Sequence, residues 1–471
     1  MAGFGYLSFI QYRNDGSGTL QRQTGTALCI DIYGANVLYF VSQKTMQEDN
    51  RCLPVMRNMR VLLVNDSFPP LIDGVCNTVI NYAKYLVNHG HEVIVTVPYY
   101  PGASDKDYPF EVWRYPSLST EKMIGYRAGY PFSQRTMKHL SRFNPHIIHS
   151  HCPFTSTLLS RELRDLTGSP LILTYHTKFD IDVRRSVKFK PLQNPVINEM
   201  VRNVKACDDV WAVNTGAGEN LKSLGFEGDY LIMPNGVDID QTPCKEENAA
   251  FIEETYHLEK DVPLFLFVGR VIWYKGLHYS LESLAYLNQK GYPFRFAVVG
   301  KGEDFDAVVE ESKKLGIYEK CIFPGPVYDR DMLKAWYSRA FMFLLPSVFD
   351  NNPLVVKEAA SCGTPSVLVK DSSSAEGVTD HENGFLIEES TEAMKPVLEW
   401  AVNHPEEVKN IGRNASETLY VSWDSIIGKA VERYETILEL KKEGKLPPHH
   451  KPADNSLIRT MSGLYKIIRK S

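Results

Sequence analysis

Short unbroken apolar runs alternate with amphipathic stretches through most of this chain. Val61-Leu62-Leu63-Val64, Val93-Ile94-Val95, Ile147-Ile148, Leu171-Ile172-Leu173 and Val210-Trp211-Ala212-Val213 each read as a buried strand. Between the first two, Val79, Ala83, Leu86 and Val87 fall at helical spacing, and further helices are predicted near 156–166 and 216–224. The theme repeats beyond 245, with strands over 263–268, 294–299, 321–323, 340–345 and 366–369 and helices over 279–287, 304–315 and 353–362. Apolar strands separated by amphipathic helices predict parallel sheets covered on both faces. Two doubly wound α/β domains in tandem, 59–240 and 241–410, enclose a cleft, and ligands of such sheets bind beyond the carboxyl ends of the strands.

The flanks break this pattern. In residues 1–58, Asn14-Asp15-Gly16-Ser17-Gly18 reads as a turn, and 26–32 and 36–41 as strands interrupted by Gly34. This segment is either an accessory hairpin layer or a poorly packed extension. Residues 411–440 form a long helical pattern with Ile427, Val431, Tyr434 and Leu438 on one stripe, a helix expected to pack across the domains. Residues 441–471 carry a net charge of +6 and place Leu457, Ile458, Leu464, Ile467 and Ile468 among Arg459, Lys466, Arg469 and Lys470. A short basic amphipathic tail of this kind suits an anionic membrane surface, or docking on its own protein body.

Composition narrows the class. With 43% hydrophobic and 23% charged residues in 471, a mostly disordered chain, a collagen-like rod and a coiled coil are excluded. The net charge of -5 argues against a globally basic nucleic-acid binder. The eight cysteines include no C-x-x-C pair, so reduced thiols are expected rather than a disulfide scaffold. No run of 18 apolar residues occurs, and residues 1–12 lack the pattern of a signal peptide. A cytoplasmic location is the expectation, with a peripheral contact at the inner membrane face if the tail engages lipid.

Candidate chemistry gathers in the second domain. Gly269-Arg270 ends a strand and Lys275-Gly276 follows. Glycine lets the loop turn tightly against a ligand, Arg270 can fork onto phosphate oxygens, and Lys275 adds a point charge. Surface basic residues are common, so this signal is weak by itself. A second motif runs from Pro346-Ser347 through Asp350-Asn351-Asn352-Pro353-Leu354-Val355 to Glu358-Ala359 and Gly363-Thr364-Pro365. Asn351 or Asn352 is placed to cap the next helix, whose first amides make an anion site. Glu358, a turn and a half into that helix, suits the vicinal diol of a ribose. Its bland reading is a solvated glutamate.

These residues resemble the group 1 glycosyltransferases, the retaining family 4 enzymes of GT-B fold with two facing Rossmann-like domains. Pro346, Ser347, Leu354, Val355, Glu358, Ala359, Gly363 and Pro365 match the family motif, as do Gly269-Arg270, Lys275-Gly276 and Gly300-Lys301-Gly302. The resemblance spans about 60–440. It departs at Asp350, which stands where the family usually has glutamate, at Asn351, which replaces a glycine, and at Asp73-Gly74, where two glycines are usual. A carboxylate is retained, one methylene shorter.

The resemblance implies that Arg270 and Lys275 hold the donor diphosphate and offset leaving-group charge. Asp350 then sits near the sugar hydroxyls, Glu358 binds the ribose, and the amides of Asn352, Leu354 and Val355 help to place phosphate and sugar. Gly74 and Gly300 line the donor's approach. The first domain takes the acceptor, with His176 as the active-site histidine and His149 and His151 as weaker candidates. His149, His151, Cys152 and His176 also invite a zinc reading. The family uses no metal or cofactor, so none is expected.

The implied reaction is transfer of a hexosyl group from a nucleoside diphosphate sugar, with anomeric retention, to a glycan, lipid-linked or small-molecule acceptor. The basic, aromatic stretch 175–185 and the tail are similar to those of enzymes acting on membrane lipids. A phosphorylase or epimerase of the same fold, or an inactive nucleotide-sugar-binding scaffold, are the alternatives. A donor pocket unable to bind nucleotide would mark the scaffold.

Overall fold

The computed structural model describes residues 4–14, 20–32, 35–40, 58–71, 73–121, 126–187, 190–350 and 353–446. Residues 1–58 are a unit by themselves. In it, β1 (Phe4–Asn14), β2 (Leu20–Ile32) and β3 (Ala35–Phe40) pair antiparallel in chain order, with Asn14 opposite Leu20. The predicted strand over 26–32 falls within β2, and that over 36–41 matches β3 as far as Phe40, residue 41 lying outside the described residues. The turn residues 15–18 and Gly34 lie outside the described residues, as does the tail from 447 onward.

The rest of the chain carries two parallel sheets. The first contains β4 (Arg60–Val64), β5 (Glu92–Pro98), β6 (Glu111–Tyr115), β9 (Ile147–Ser150), β10 (Leu171–Tyr175), β11 (Asp209–Ala212) and β12 (Leu231–Ile232), in the order β12-β11-β10-β9-β4-β5-β6. A two-stranded antiparallel pair, β7 (Ser117–Leu118) and β8 (Ala128–Gly129), stands apart from it. The second sheet contains β13 (Leu264–Val268), β14 (Arg295–Val299), β15 (Cys321–Gly325), β16 (Met342–Leu345), β17 (Ser366–Val369) and β18 (Phe385–Ile387), in the order β15-β14-β13-β16-β17-β18. Every residue of β9, β10, β13, β16 and β17 is buried, as expected for strands covered on both faces. The strand order reverses between β4 and β9 in the first sheet and between β13 and β16 in the second. At such switch points the loops leave in opposite directions and open a crevice.

The sequence predicts no element over 99–146, where the structure has β6, the β7–β8 pair and the helix Gln134–Phe143. β6 is the edge strand, half-buried over Val112 to Arg114, so it lacks the apolar run that marks the other strands. The helical pattern over 411–440 is also corrected. It belongs to two helices, Pro405–Thr418 and Trp423–Lys442. Between them the Val421 carbonyl accepts from Val237 N–H (2.9 Å), and Ser422 caps the second helix by accepting from Ser425 N–H (3.2 Å). That break turns the last helix back onto the first sheet. Its stripe Trp423, Ile427, Val431 and Tyr434 joins one core with Val61, Leu63, Tyr82 and Trp211, and Arg433 forks onto both Asp209 oxygens at 2.8 Å. The first sheet's own helices cover its opposite face.

Candidate active site

The crevice of the second sheet is built by loops meeting backbone to backbone. Gly300 follows β14 with φ +141°, and a Cβ there would lie 1.9 Å from the Gly269 carbonyl oxygen at the end of β13. Gly276 has φ +75°, and its Cβ would lie 2.0 Å from the Pro346 carbonyl oxygen after β16. Any side chain at either position forces the loops apart, which is the physical content of the two glycine motifs.

Across the β13–β16 switch point, Lys275 Nζ donates to Asp350 Oδ1 at 2.9 Å, with both side chains largely buried. Asp350 Oδ2 is buried with no partner among the described residues. Arg270 is exposed and donates through Nη2 to the Tyr274 hydroxyl (2.8 Å), and the Tyr274 ring meets Phe349 edge-on at 5.3 Å. The structure therefore brings Arg270, Lys275, Gly300 and Asp350 to one crevice, and adds Tyr274, which sequence reasoning missed.

Helix Leu354–Ser361 starts at the same crevice. Its N-cap is Pro353, which supplies no side-chain cap. Asn351 and Asn352, expected from the sequence to cap this helix, lie outside the described residues. Leu354 and Val355 are the first helical residues, and their N–H groups are among those an α-helix leaves without an intrahelical partner. Glu358 is not a solvated glutamate. It is 5% exposed, and its Oε1 and Oε2 accept from Arg330 Nη2 (2.6 Å) and the Tyr337 hydroxyl (2.9 Å). Arg330 and Tyr337 are seven residues apart on the helix Arg330–Arg339, hence on one face. That spacing is readable, but nothing in the sequence ties it to Glu358.

On the first sheet, Asp73 caps the helix Gly74–Asn88 by accepting from Cys76 N–H (2.7 Å), and a Cβ on Gly74 would meet open space. The three candidate histidines cluster in the interior. His149 lies between the Tyr434 hydroxyl (Nδ1, 2.6 Å) and Thr174 Oγ1 (Nε2, 2.7 Å). His151 Nδ1 and His176 Nε2 are 2.9 Å apart, so one ring donates and the other accepts. Burial lowers all three pKa values, that of His176 to about 3, so the rings are neutral near pH 7. His176 is 7% exposed, and its Nδ1 has no partner among the described residues. His149 is consumed by structure, since its partner Tyr434 comes from the last helix. Among the described residues no group of three or more His, Cys, Asp or Glu is arranged to hold a metal ion.

A further partly buried carboxylate was not legible. Asp66, after β4, accepts from Thr155 Oγ1, Ser156 N–H (2.9 Å) and Ser156 Oγ (3.1 Å), so it caps the helix Thr155–Thr167 across the β4–β9 switch point. Burial raises its pKa, and these hydrogen bonds oppose the shift. Asn81 Nδ2 donates to Asp238 Oδ2 (3.1 Å), tying the helix Gly74–Asn88 to the segment after β12. The two domains meet where the Arg185 guanidinium lies 5.7 Å from the centroid of the Tyr274 ring, a contact that joins the stretch 175–185 to the Arg270 loop.

Comparison with known proteins agrees with this architecture. Residues 72–241 match the model of Glycosyltransferase Family 4, and residues 249–418 that of Glycosyl transferases group 1. The chain is 23% identical over 375 residues to the alpha-monoglucosyldiacylglycerol synthase of Acholeplasma laidlawii, covering 76% of this chain and 92% of that one. It is 22% identical over 403 residues to the GDP-mannose-dependent alpha-mannosyltransferase of Corynebacterium glutamicum, covering 83% and 92%. The fold is that of Anabaena Alr3699/HepE, solved in complex with UDP, with a TM-score of 0.65 at 16% identity over 80% of this chain and 100% of that one. Two parallel sheets each with a switch point, family models over 72–241 and 249–418, and glycine loops packed as the motifs require lead to one assignment: this chain is a GT-B glycosyltransferase of group 1, family 4.

Proposed function

We propose that this enzyme transfers a hexosyl group from a nucleoside diphosphate sugar, with retention, to a glycan or lipid-linked acceptor. The observation that carries the donor half is the Lys275–Asp350 pair spanning the β13–β16 crevice beside an exposed Arg270 and the start of helix Leu354–Ser361. Lys275 spends one of its three donors on Asp350 and keeps two for phosphate oxygens. Arg270 adds a fork, and the amides of Leu354 and Val355 add the positive end of the helix. As the glycosidic bond breaks, charge grows on the diphosphate, and these fixed donors stabilise it. Asp350, held through Oδ1, presents Oδ2 to sugar hydroxyls. Glu358 is fixed by Arg330 and Tyr337 and keeps lone pairs for the ribose diol.

His176 is neutral, so it orients the transferred sugar or the acceptor through Nδ1 and carries no positive charge at pH 7. A front-face course, in which the leaving diphosphate helps remove the acceptor proton, asks for no enzymic nucleophile. Closure of the two domains keeps water from the donor.

For the acceptor, helix Phe179–Ser186 presents exposed Ile181 and Arg184 on the first domain, with exposed Leu192 just beyond it, and the relative from Acholeplasma laidlawii is named for a diacylglycerol lipid. An apolar and basic rim suits a membrane-borne acceptor, and the basic residues 447–471 extend that reading to a peripheral membrane contact. Among the described residues no helix is long and apolar enough to cross a membrane.

The test is a donor-binding and hydrolysis panel over nucleotide sugars with the wild type, Arg270→Ala, Lys275→Ala and Glu358→Gln. One donor should bind, and binding should weaken at least tenfold in the arginine and lysine variants. Folded wild type that binds no nucleotide sugar would refute the proposal and favour the scaffold alternative.

A further inference from the structure

The turn between β17 and β18 touches three separate parts of the molecule. Ser374, buried, donates through Oγ to the carbonyl of Asp350 (3.1 Å), the residue that faces Lys275 across the donor crevice. Glu376, exposed, receives three hydrogen bonds from one residue of the first domain. Thr215 N–H reaches Oε1 at 3.0 Å and Oε2 at 3.2 Å, and Thr215 Oγ1 donates to Oε1 at 2.9 Å. Thr215 opens the helix Thr215–Ser223, so the carboxylate also meets the positive end of a helix dipole. The next residue, Gly216, is packed so closely that a Cβ there would lie 2.7 Å from Ser373 Oγ. Behind the turn, Lys357 lines a cavity of about 160 Å³ together with Ser373, Ser374 and Glu376. Burial draws its amine down to about 8, and the Glu376 charge pulls the other way. Lys357 is the residue before Glu358 in the donor helix, so this small turn reaches the donor loop, the donor helix and the first domain.

We propose that residues 372–377 form an interdomain latch: Glu376 grips the first domain at Thr215 while Ser374 holds the Asp350 loop, so that closure of the cleft and seating of the donor loop occur together. Glu376 and Ser374 are positioning residues that touch neither donor nor acceptor. The grip itself follows from the contacts alone. Its link to the donor loop rests on the function proposed above.

The contacts are local, so the latch can be cut without touching the donor groups. Glu376→Ala removes all three hydrogen bonds from an exposed site, where folding is little affected. Gly216→Leu places a whole side chain where Ser373 packs and wedges the joint open, and its fold is secure because leucine favours a helix over glycine. Gly216→Ala meets only the Ser373 hydroxyl, which rotates aside, and should keep the wild-type joint. Two readouts are compared.

Small-angle X-ray scattering without any donor should give a larger maximum dimension for Glu376→Ala and Gly216→Leu, and a wild-type value for Gly216→Ala. With donor and acceptor, the opened variants should keep donor affinity within about twofold, lose about tenfold in kcat for transfer, and show a higher ratio of donor hydrolysis to transfer, because water enters an open cleft. Wild-type scattering profiles for both opened variants would overturn the latch. So would a shifted profile with an unchanged ratio of hydrolysis to transfer. If the wild type binds no nucleotide sugar, the proposed function fails, while the scattering arm still decides whether the turn grips the first domain.

Discussion

Replacing Glu358 separates two roles that occupy the same carboxylate. Glu358→Ala deletes a group that is 5% exposed and leaves Arg330 and Tyr337 without their acceptor. Tyr337 is fully buried, so its hydroxyl cannot turn to water. An orphaned buried donor costs about 1–3 kcal/mol. The Arg330 side chain is 44% exposed, so its guanidinium re-solvates and that half of the loss is ~0–1 kcal/mol after screening. The expected total is about 2–4 kcal/mol, including a small cavity.

Glu358→Gln keeps the volume and one acceptor oxygen but turns an amide donor toward a second donor, at about 1–2 kcal/mol. Because the tyrosine and glutamate share one hydrogen bond, Tyr337→Phe combined with Glu358→Gln should cost about 1 kcal/mol less than the two singles added together. The assay is urea unfolding followed by tryptophan fluorescence, with donor binding measured calorimetrically on the same samples. A loss below about 0.5 kcal/mol for Glu358→Ala would refute the buried-anchor argument. A Gln variant that is less stable yet binds donor like the wild type would leave Glu358 a structural residue and remove it from the ribose site.

Three further outcomes follow from particular contacts. Gly300→Ala drives a Cβ into the Gly269 carbonyl at a strained φ, and should cost about 1–3 kcal/mol in unfolding and at least tenfold in donor binding, since the displaced loop carries Arg270. Wild-type binding by this variant would show that the two loops yield freely. Arg433→Ala removes a bidentate bond to Asp209 and Tyr434→Phe frees the ring of His149, so limited proteolysis should cut more readily ahead of Trp423 in the double variant. An unchanged cleavage pattern would mean that apolar packing alone seats the last helix. The third concerns pH. His149, His151 and His176 stay neutral when folded, whereas the unfolded chain takes up protons near 6.5. Stability is thus fully present above about 6.5 and falls as the pH drops toward the folded values, by up to about 1.4 kcal/mol per pH unit for each histidine. Urea midpoints from pH 7.5 to 5.5 should show this slope, and His176→Gln should flatten it. An unchanged slope in that variant would contradict the buried neutral assignment.

Several parts of the site were legible because their signals are local. Gly269 and Gly300 sit at strand ends and Gly276 at the start of the helix Leu277–Gln289, positions with positive φ that favour glycine, and Arg270 and Lys275 follow the same strand, so chain proximity alone groups them. Asp350 and the helix after it are one continuous motif. His176 was recognisable as a strand-end histidine, but its environment was not. Its neighbour His151 is 25 residues away, and no pattern in either strand announces that the rings stack. The solvated reading of Glu358 failed for a related reason. A helix presents glutamate alike to water or to a buried tyrosine, and the choice belongs to the neighbouring helix.

Hydrophobic periodicity and the residues at strand ends determined, from the sequence by itself, two doubly wound domains, a crevice in the second and the candidate cations Arg270 and Lys275 beside it. Those features depend on backbone geometry and side-chain character within a few residues of each other. Tertiary structure alone decided which partner each polar group keeps. Asp66 caps a helix some ninety positions away, Glu376 grips Thr215 across 161, and Tyr434 crosses 285 to reach His149. The break before Trp423 likewise follows from where Val237 runs, not from the periodicity of 411–440. Burial makes an unpaired polar group costly wherever its partner lies in the chain, and the exposed Glu376 finds Thr215 only where the two domains meet, so these pairings are set by the packing of the whole fold and leave no mark on any short stretch of sequence.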